Sequence, residues 1–437
     1  MPRLRWLMIL LCFIATTINY VDRAVIAVAA PFMQRDLHLD PAIMGFVLGA
    51  FFWTYAVMQI PAGWIVDRIG ARITYAVSVA WWSLFTASTA LVGSAAAIFG
   101  CRFMLGVGES GAYPSNVKVA ALWFPTRERG LAAGIFDSGS RTGSALSLPI
   151  VSALVFNFGW RAAFVLTGLA GLVWVVAWLA FYRDPTDHPR VDATQLAELR
   201  AAQPATDLSG PTVSWASLFT HRTVWAMMGG FFCLNFVFYF YTTWFPTYLV
   251  QARGFSLRQL GVLGMLPGLA AIPSAWMGGF ISDRLYRHGW SLTAARKTCL
   301  VGGMLTSSVI ALSAFVKTDA AALACFTVAY MGIAVAGANI WSLPADIAPT
   351  PAHVASLSGI QNCAANMAGI VTATFTGLML SITRGSFVVP LCVAGGFCVL
   401  GALIYLFGLG RIEPLKMHDR RLPKAAGAAH GETAGRN

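Results

Sequence analysis

Gly63-Trp64-Ile65-Val66-Asp67-Arg68-Ile69-Gly70-Ala71-Arg72 recurs in altered form as Gly279-Phe280-Ile281-Ser282-Asp283-Arg284-Leu285-Tyr286-Arg287. The two aspartates are 216 residues apart, about half of the 437-residue chain. Each copy closes an apolar stretch that is long enough to cross a bilayer. One Gly-x-x-x-Asp-Arg is an ordinary helix end with solvated charges. Two copies at matching places point to a duplicated helical unit, and such halves with a site at their interface typify secondary transporters.

Composition agrees with an all-α membrane protein. The chain is 57% hydrophobic and only 11% charged, with a mean hydropathy of +0.67. A spanning helix needs roughly 20 mostly apolar residues. Twelve stretches qualify as expected spans: 4–30, 42–66, 73–93, 95–119, 130–155, 162–182, 222–249, 258–282, 298–316, 319–345, 353–380 and 386–409. The expected organisation is a six-helix half over 1–182, a cytoplasmic linker over 183–221, a second six-helix half over 222–410 and a basic cytoplasmic tail over 411–437. The N-terminus imitates a signal peptide, with Ala27–Ala30 imitating a cleavage site. Asn19, Asp22 and Arg23 would interrupt its apolar core, so the segment reads as a retained first helix.

The net charge of +12 invites a nucleic-acid reading, which the distribution of the charge rejects. With the N-terminus inside, inner loops and tails hold 20 of the 30 Lys and Arg, and outer loops hold six. That is the positive-inside asymmetry. It places both termini in the cytoplasm, in what reads as a bacterial inner membrane. The eight cysteines lie mostly in apolar spans without metal-ligand spacing, so they read as small core residues. No metal, cofactor or nucleic acid is expected, and no hydrolytic or transferase constellation is visible in the spans. The chain therefore reads as a carrier and not an enzyme, working as a monomer on a small organic anion and protons.

Ionisable residues at membrane depth cost kilocalories and are usually kept for function. Asp22 and Arg23 interrupt the apolar run Leu4–Phe32, and Arg102 and Glu109 the run Ala95–Val119. Arg102 and Glu109 are seven residues apart, two helical turns, and so share a face. The bland alternative is a set of structural ion pairs, but buried pairs are weak evidence for stability. Arginine presents a planar fork that matches a carboxylate. None of the seven histidines lies deep in a span, which leaves Asp22 and Glu109 as proton carriers and Arg23 and Arg102 as anion ligands.

Polar residues at helical spacing are candidates to complete the pocket: Tyr55 with Gln59, Asn235 with Tyr239, and Asn362 with Asn366. Helix–helix glue is the alternative for each. Ser140 and Arg141 lie in Phe136-Asp137-Ser138-Gly139-Ser140-Arg141-Thr142-Gly143, about eleven residues into the fifth span, too deep for Arg141 to snorkel easily. Arg141 either pairs with Asp137 one turn earlier or meets a second substrate carboxylate. The second reading favours a diacid.

The loop Gly-x-x-x-Asp67-Arg68-x-Gly70-x-Arg72 resembles the signature loop of the major facilitator superfamily, although Ala71 stands where a basic residue is usual. Asn19-Tyr20-x-Asp22-Arg23, with Arg102-Phe103-x-x-Gly106-x-Gly108-Glu109, resembles that superfamily's anion:cation symporter branch. The branch includes bacterial galactonate, hexuronate and glucarate transporters and animal sialin. The resemblance implies a two-half, twelve-helix carrier that imports a sugar acid with protons, by alternating access. Arg141, where the family's sugar-acid carriers usually have neutral polar side chains, departs from that pattern and adds a small dicarboxylate such as tartrate or glucarate to the expectation. It implies that Glu109 couples the proton, that Asp22 is a second protonation site, and that Asp67, Arg68, Asp283 and Arg284 belong to the inner gate. Asp67 is expected to meet the N-terminus of span eleven. A proton-coupled exporter of drug-like compounds and a membrane sensor on a carrier fold remain the alternatives.

Overall fold

Proline and glycine set the ends of the helices, and the apolar runs fill them. The computed structural model describes residues 2–194, 196–197, 218–349 and 354–415. The charges expected at Lys416, Arg420, Arg421 and Lys424, and most of the expected linker, lie outside the described residues. α1 runs Pro2–Asp36. α2 runs Pro41–Ile69, with Pro41 in its first turn and the Asp40 side chain accepting from the Ala42 amide. Pro suits that position because its missing N–H has no helical partner there. α2 stops at Gly70, whose φ of 94° is a conformation that a side chain resists. The glycine of the signature loop therefore has a backbone task, turning the chain directly into α3, Ala71–Ser88.

α4 (Ala95–Glu109) and α5 (Ala112–Trp123) are separated by one turn at Ser110–Gly111. α6 runs Thr126–Phe181 and is bent at Gly159, where φ is 80°. Its two limbs correspond to the expected spans 130–155 and 162–182. The second part of the chain comprises α7 (Arg222–Thr243), α8 (Leu257–Leu263), α9 (Leu266–Arg287), α10 (Leu292–Ser307), α11 (Asp319–Ile340), α12 (Val354–Ile382) and α13 (Val388–Leu403). A complete capping box at Ser256 and Gln259 starts α8.

Nine helical stretches among the described residues are long and apolar enough to cross a membrane. The count differs from the twelve expected spans for two reasons. α6 carries two of the expected spans as one stretch, and the spans expected over 73–93 and 95–119 do not reach that standard. The latter is broken at Ser110–Gly111, directly after Glu109. The chain is nonetheless a multi-pass membrane protein, all-helical among the described residues.

α1 lies along α6, α2 on α4 and α3 on α6; farther along the chain, α9 and α10 pack on α11, and α12 on α7. The two sets meet mainly where α2 crosses α12 and where α8 meets α6. The α2–α12 crossing is close because it lacks side chains. A Cβ on Gly45 would stand 2.6 Å from the Ala373 carbonyl oxygen, and one on Gly377 2.4 Å from that of Pro41. Small residues at a membrane helix crossing let backbones approach in this way. Gln251 Nε2 donates to Gln34 Oε1 (2.9 Å), and Ser381 Oγ to Asp40 Oδ2 (3.0 Å). The face where α1 ends and α2 begins is thus sealed. At the opposite face, the ion pairs of the two signature loops stay within their own part of the chain.

Candidate functional site

The site is built on α1 and α4, with α2, α6 and α7 as its walls. Asn19, Asp22 and Arg23 occupy one turn of α1, so their side chains fan towards different neighbours. Arg23 turns to α4, and its Nε donates to Glu109 Oε2 at 2.5 Å. Its guanidinium also lies over the rings of Tyr55 (4.5 Å), Phe51 (4.7 Å) and Tyr20 (5.0 Å), within the range of cation–π attraction. The three aromatic faces hold the fork in place while one edge engages Glu109.

Asp22 faces α3, α4 and α6. It is fully buried, and neither carboxylate oxygen has a hydrogen-bond partner among the described residues. Thr167 of α6 and Trp82 of α3 approach it, and Arg102 and Glu109 are its charged neighbours. A buried carboxylate without a partner is costly when ionised.

Arg102 is 4% exposed, and its guanidinium sits 5.5 Å from the Phe51 ring. No carboxylate pairs with it among the described residues, and its Nε and Nη1 have no partner. Arg102 and Arg23 both line a central cavity together with Tyr20, Phe52, Ser144 and Tyr239. Glu109 keeps one oxygen for Arg23, and the other is unpartnered. The cavity therefore has one arginine already paired and one arginine with free donors, a suitable arrangement for an anion.

The other expected residues divide into three groups. Tyr239 lines the cavity, packs edge-on against Phe52 at 4.4 Å and donates to Asn366 Oδ1 at 3.5 Å. Asn366 Nδ2 donates to the Asn362 carbonyl (3.0 Å), and Asn362 Nδ2 to Gln59 Oε1 (3.1 Å). Tyr55 stacks on Phe51 at 5.0 Å. Tyr239, Asn366, Asn362 and Gln59 thus form an amide and phenol chain from α7 through α12 to α2. In the second group, Ser140 and Asn235 donate to carbonyls of their own helices, Asp137 and Phe231, and neither lines the cavity.

Arg141 stands apart. The ion pair with Asp137, one of the two readings open from sequence, is not formed. Asp137 instead accepts from the Tyr113 hydroxyl at 3.1 Å. Gly139 and Gly143 press against Thr16, Thr17 and Tyr20 of α1, so Arg141 projects from a different side of the helix. It is exposed and lies on the same stripe as Ser144 and Leu148, one and two turns on, both of which line the cavity.

The residues expected at the gate pair locally. Asp67 accepts from Lys118 Nζ at 2.8 Å, and Arg68 lies over Trp64. The expected start of span eleven, which Asp67 is expected to meet, is residue 353 and lies outside the described residues. Asp283 faces Arg296 at 3.8 Å, and Arg296 also reaches Asp346 (3.2 Å), Ser282 and Asn339. Arg284 is exposed. Sequence reading missed Arg296 and Asp346 as neighbours of the second signature loop, and Tyr20, Phe51, Trp82 and Thr167 as neighbours of the charged cluster. Lys118 carried a usable signal, since a lysine within an apolar span calls for a partner. Among the described residues no metal-binding cluster of His, Cys, Asp and Glu occurs.

A family model described as Major Facilitator Superfamily matches residues 12–373. Over 430 residues the chain is 34% identical to the "Probable galactarate/D-glucarate transporter GarP" of Escherichia coli (strain K12), covering 94% of this chain and 96% of that protein. It is 35% identical over 433 residues to the "Probable sulfoacetate transporter SauU" of Cupriavidus necator, covering 97% and 96%. Among solved structures, a bacterial homolog of the human lysosomal transporter Spinster superposes with a TM-score of 0.75 at 19% identity, over 93% of this chain and 97% of that one. That likeness shows a shared fold.

Proposed function

The chain belongs to the Major Facilitator Superfamily and is a transporter rather than an enzyme, and on that premise we propose that it imports an organic dianion with protons by alternating access. The substrate class is a sugar diacid of the galactarate or glucarate kind. One observation carries the reading: Arg102 lines the central cavity without a carboxylate partner, while its neighbour Arg23 is held by Glu109. A substrate carboxylate is the partner that Arg102 lacks.

The same geometry supplies a coupling mechanism. Arg23 can serve Glu109 or a substrate anion, and protonating Glu109 releases it to the substrate. Binding of the anion and binding of the proton then favour each other. When Glu109 loses its proton, it reclaims Arg23, and the substrate carboxylate is released. Asp22, buried on the far side of Arg102, is the second protonation site. Tyr55, Gln59, Tyr239, Asn362 and Asn366 offer amides and phenols to the hydroxyls of a sugar acid.

The proposed topology has twelve spans, two halves over 1–182 and 222–410, and both termini in the cytoplasm. The sealed face is then periplasmic and the signature-loop face cytoplasmic. Asp67, Arg68, Asp283 and Arg284, with Lys118, Arg296 and Asp346, form the cytoplasmic gate. The names of both relatives favour a dianion, since glucarate carries two carboxylates and sulfoacetate a sulfonate and a carboxylate.

Uptake into proteoliposomes tests this reading. Labelled galactarate or glucarate should accumulate under an inward proton gradient and stop when a protonophore is added. Accumulation indifferent to the gradient would remove proton coupling. No flux of any mono- or diacid, with binding retained, would favour a sensor.

A further inference from the structure

A second candidate binding place lies outside the central cavity, on the perimeter of the bundle at the signature-loop face. There a groove runs between the start of α7 and the end of α13. Its walls are apolar and open to the surroundings: Trp225 is 57% exposed, Phe407 71% and Leu403 47%. Arg222, the first residue of α7, stands at its mouth. Lys297 of α10 is within electrostatic reach of Arg222.

Two features make this mouth unusual. First, neither cation has an acidic partner among the described residues. Arg222 rests against the backbone at Gly410, and Lys297 Nζ donates to the Leu406 carbonyl at 2.9 Å. Second, that carbonyl belongs to a widened helical turn, Ile404–Gly408, which follows α13. The widened turn brings Leu406 to Lys297 and sets Phe407 on the groove wall. Two like charges are therefore held near each other beside an apolar slot.

We propose that this groove binds one anionic phospholipid, with the headgroup phosphate between Arg222 and Lys297 and an acyl chain along Trp225, Leu403 and Phe407. A phosphate relieves the repulsion between the two cations. Basic pockets between membrane helices on the cytoplasmic side bind anionic headgroups, and tryptophan favours the interfacial level. The apolar walls select a lipid over a free anion, which would gain nothing from them. The site is independent of the transport reading, because neither cation lines the central cavity.

Native mass spectrometry of the full chain in detergent tests the assignment. With equal phosphatidylglycerol and phosphatidylcholine supplied, retention should favour phosphatidylglycerol by roughly 30-fold, as two cations near the surface imply. The double variant R222Q/K297Q should lose most of that preference. Equal retention of both lipids, or an unchanged preference in a folded double variant, would overturn the proposal. Thermal unfolding of the wild-type protein gives a second readout that needs no variant. Phosphatidylglycerol should raise the melting temperature, and inorganic phosphate and phosphatidylcholine should not. Equal protection by inorganic phosphate would show an ion site without a lipid and would also overturn the proposal.

Discussion

Arg23 Nε and Glu109 Oε2 stand 2.5 Å apart and join the middle of α1 to the last residue of α4. The pair is one-sided. Glu109 is almost wholly buried and Arg23 is about a fifth exposed, because Arg23 opens onto the cavity and Glu109 does not. Under the proposed function, the carboxylate would sense the substrate only through the arginine, and Glu109 would report whether Arg23 is engaged elsewhere.

Glu109→Gln removes the negative charge that holds Arg23 and imitates the protonated state. The variant should still exchange external for internal substrate but fail to concentrate it under a proton gradient. Counterflow and gradient-driven uptake, measured on the same proteoliposomes, separate the two. Full gradient-driven accumulation would rule out Glu109 as the coupling group.

Arg102→Lys keeps the charge and loses the fork. A point charge cannot make two parallel bonds to a carboxylate, so substrate affinity should fall by roughly tenfold or more, about the value of one charge-assisted hydrogen bond. Binding measured by calorimetry on purified protein gives the number. Wild-type affinity in this variant would exclude Arg102 as the substrate ligand.

The α2–α12 crossing should act as a hinge contact of the sealed face. Gly45→Ala places a methyl group 2.6 Å from the Ala373 carbonyl oxygen, and overpacking of this kind costs roughly 1–3 kcal/mol. The cost falls only on the conformation in which that face is closed. The population should move towards the conformation open at that face, and a cysteine placed at Leu48 in a background without native cysteines should react faster with an impermeant maleimide. An unchanged labelling rate would mean that the two helices do not part there during transport.

Much of this arrangement is legible in the sequence, because the costs that shape it are one-dimensional. Apolar runs mark the helices, the repeated Gly-x-x-x-Asp-Arg marks the ends of α2 and α9, and charges within apolar runs mark the candidate site, whereas the bend at Gly159 has no such mark. Pairing is less legible. Arg102 and Glu109 share a face of α4, which suggested a common task, yet Glu109 takes its arginine from α1. That choice depends on how α1 is rotated against α4, and no spacing within either helix records it. Spacing leaves Arg141 open between Asp137 on its own helix and a substrate carboxylate, and it gives no sign that Asp137 pairs with Tyr113 from α5. Arg296 and Asp346, beside the second signature loop, are 50 residues apart and meet only when α10 and the turn after α11 come together.

His188, in the segment after α6, should make the start of the linker sensitive to acid. Its ring packs edge-on against Trp123 at 5.7 Å, and its Nδ1 accepts from the Arg190 amide at 3.1 Å. Burial first, and then Arg190 and Arg183, hold its pKa below the ordinary imidazole value. A base whose folded pKa is lowered binds protons more readily once the segment detaches. Docking is therefore intact above the ordinary value of about 6.5 and weakens as pH falls through it. Limited proteolysis after Arg190 should accelerate between pH 7.5 and 5.5 in wild type but not in His188→Phe. Equal acceleration in both would assign the effect to another group.

Arg141 decides between one and two substrate carboxylates. It is exposed, has no partner among the described residues, and lies one turn from the cavity-lining Ser144. Arg102 lines the cavity and Arg141 does not, standing one turn beyond its lining residue Ser144, so a diacid that reaches past Ser144 would present one carboxylate to each. Leaving one carboxylate unpaired in such a site costs on the order of 2–5 kcal/mol. Arg141→Gln should therefore weaken glucarate or galactarate by roughly 30-fold or more, since each 1.4 kcal/mol is about tenfold. Gluconate or galactonate, with one carboxylate on a chain of the same length, should lose much less. Competition of each acid against labelled glucarate measures both effects in one assay. An equal fall for monoacid and diacid would make Arg141 a general electrostatic contributor. No fall for either would mean that its side chain stays outside the substrate's reach, and the case for a diacid would then rest on Arg102 alone, which one carboxylate satisfies.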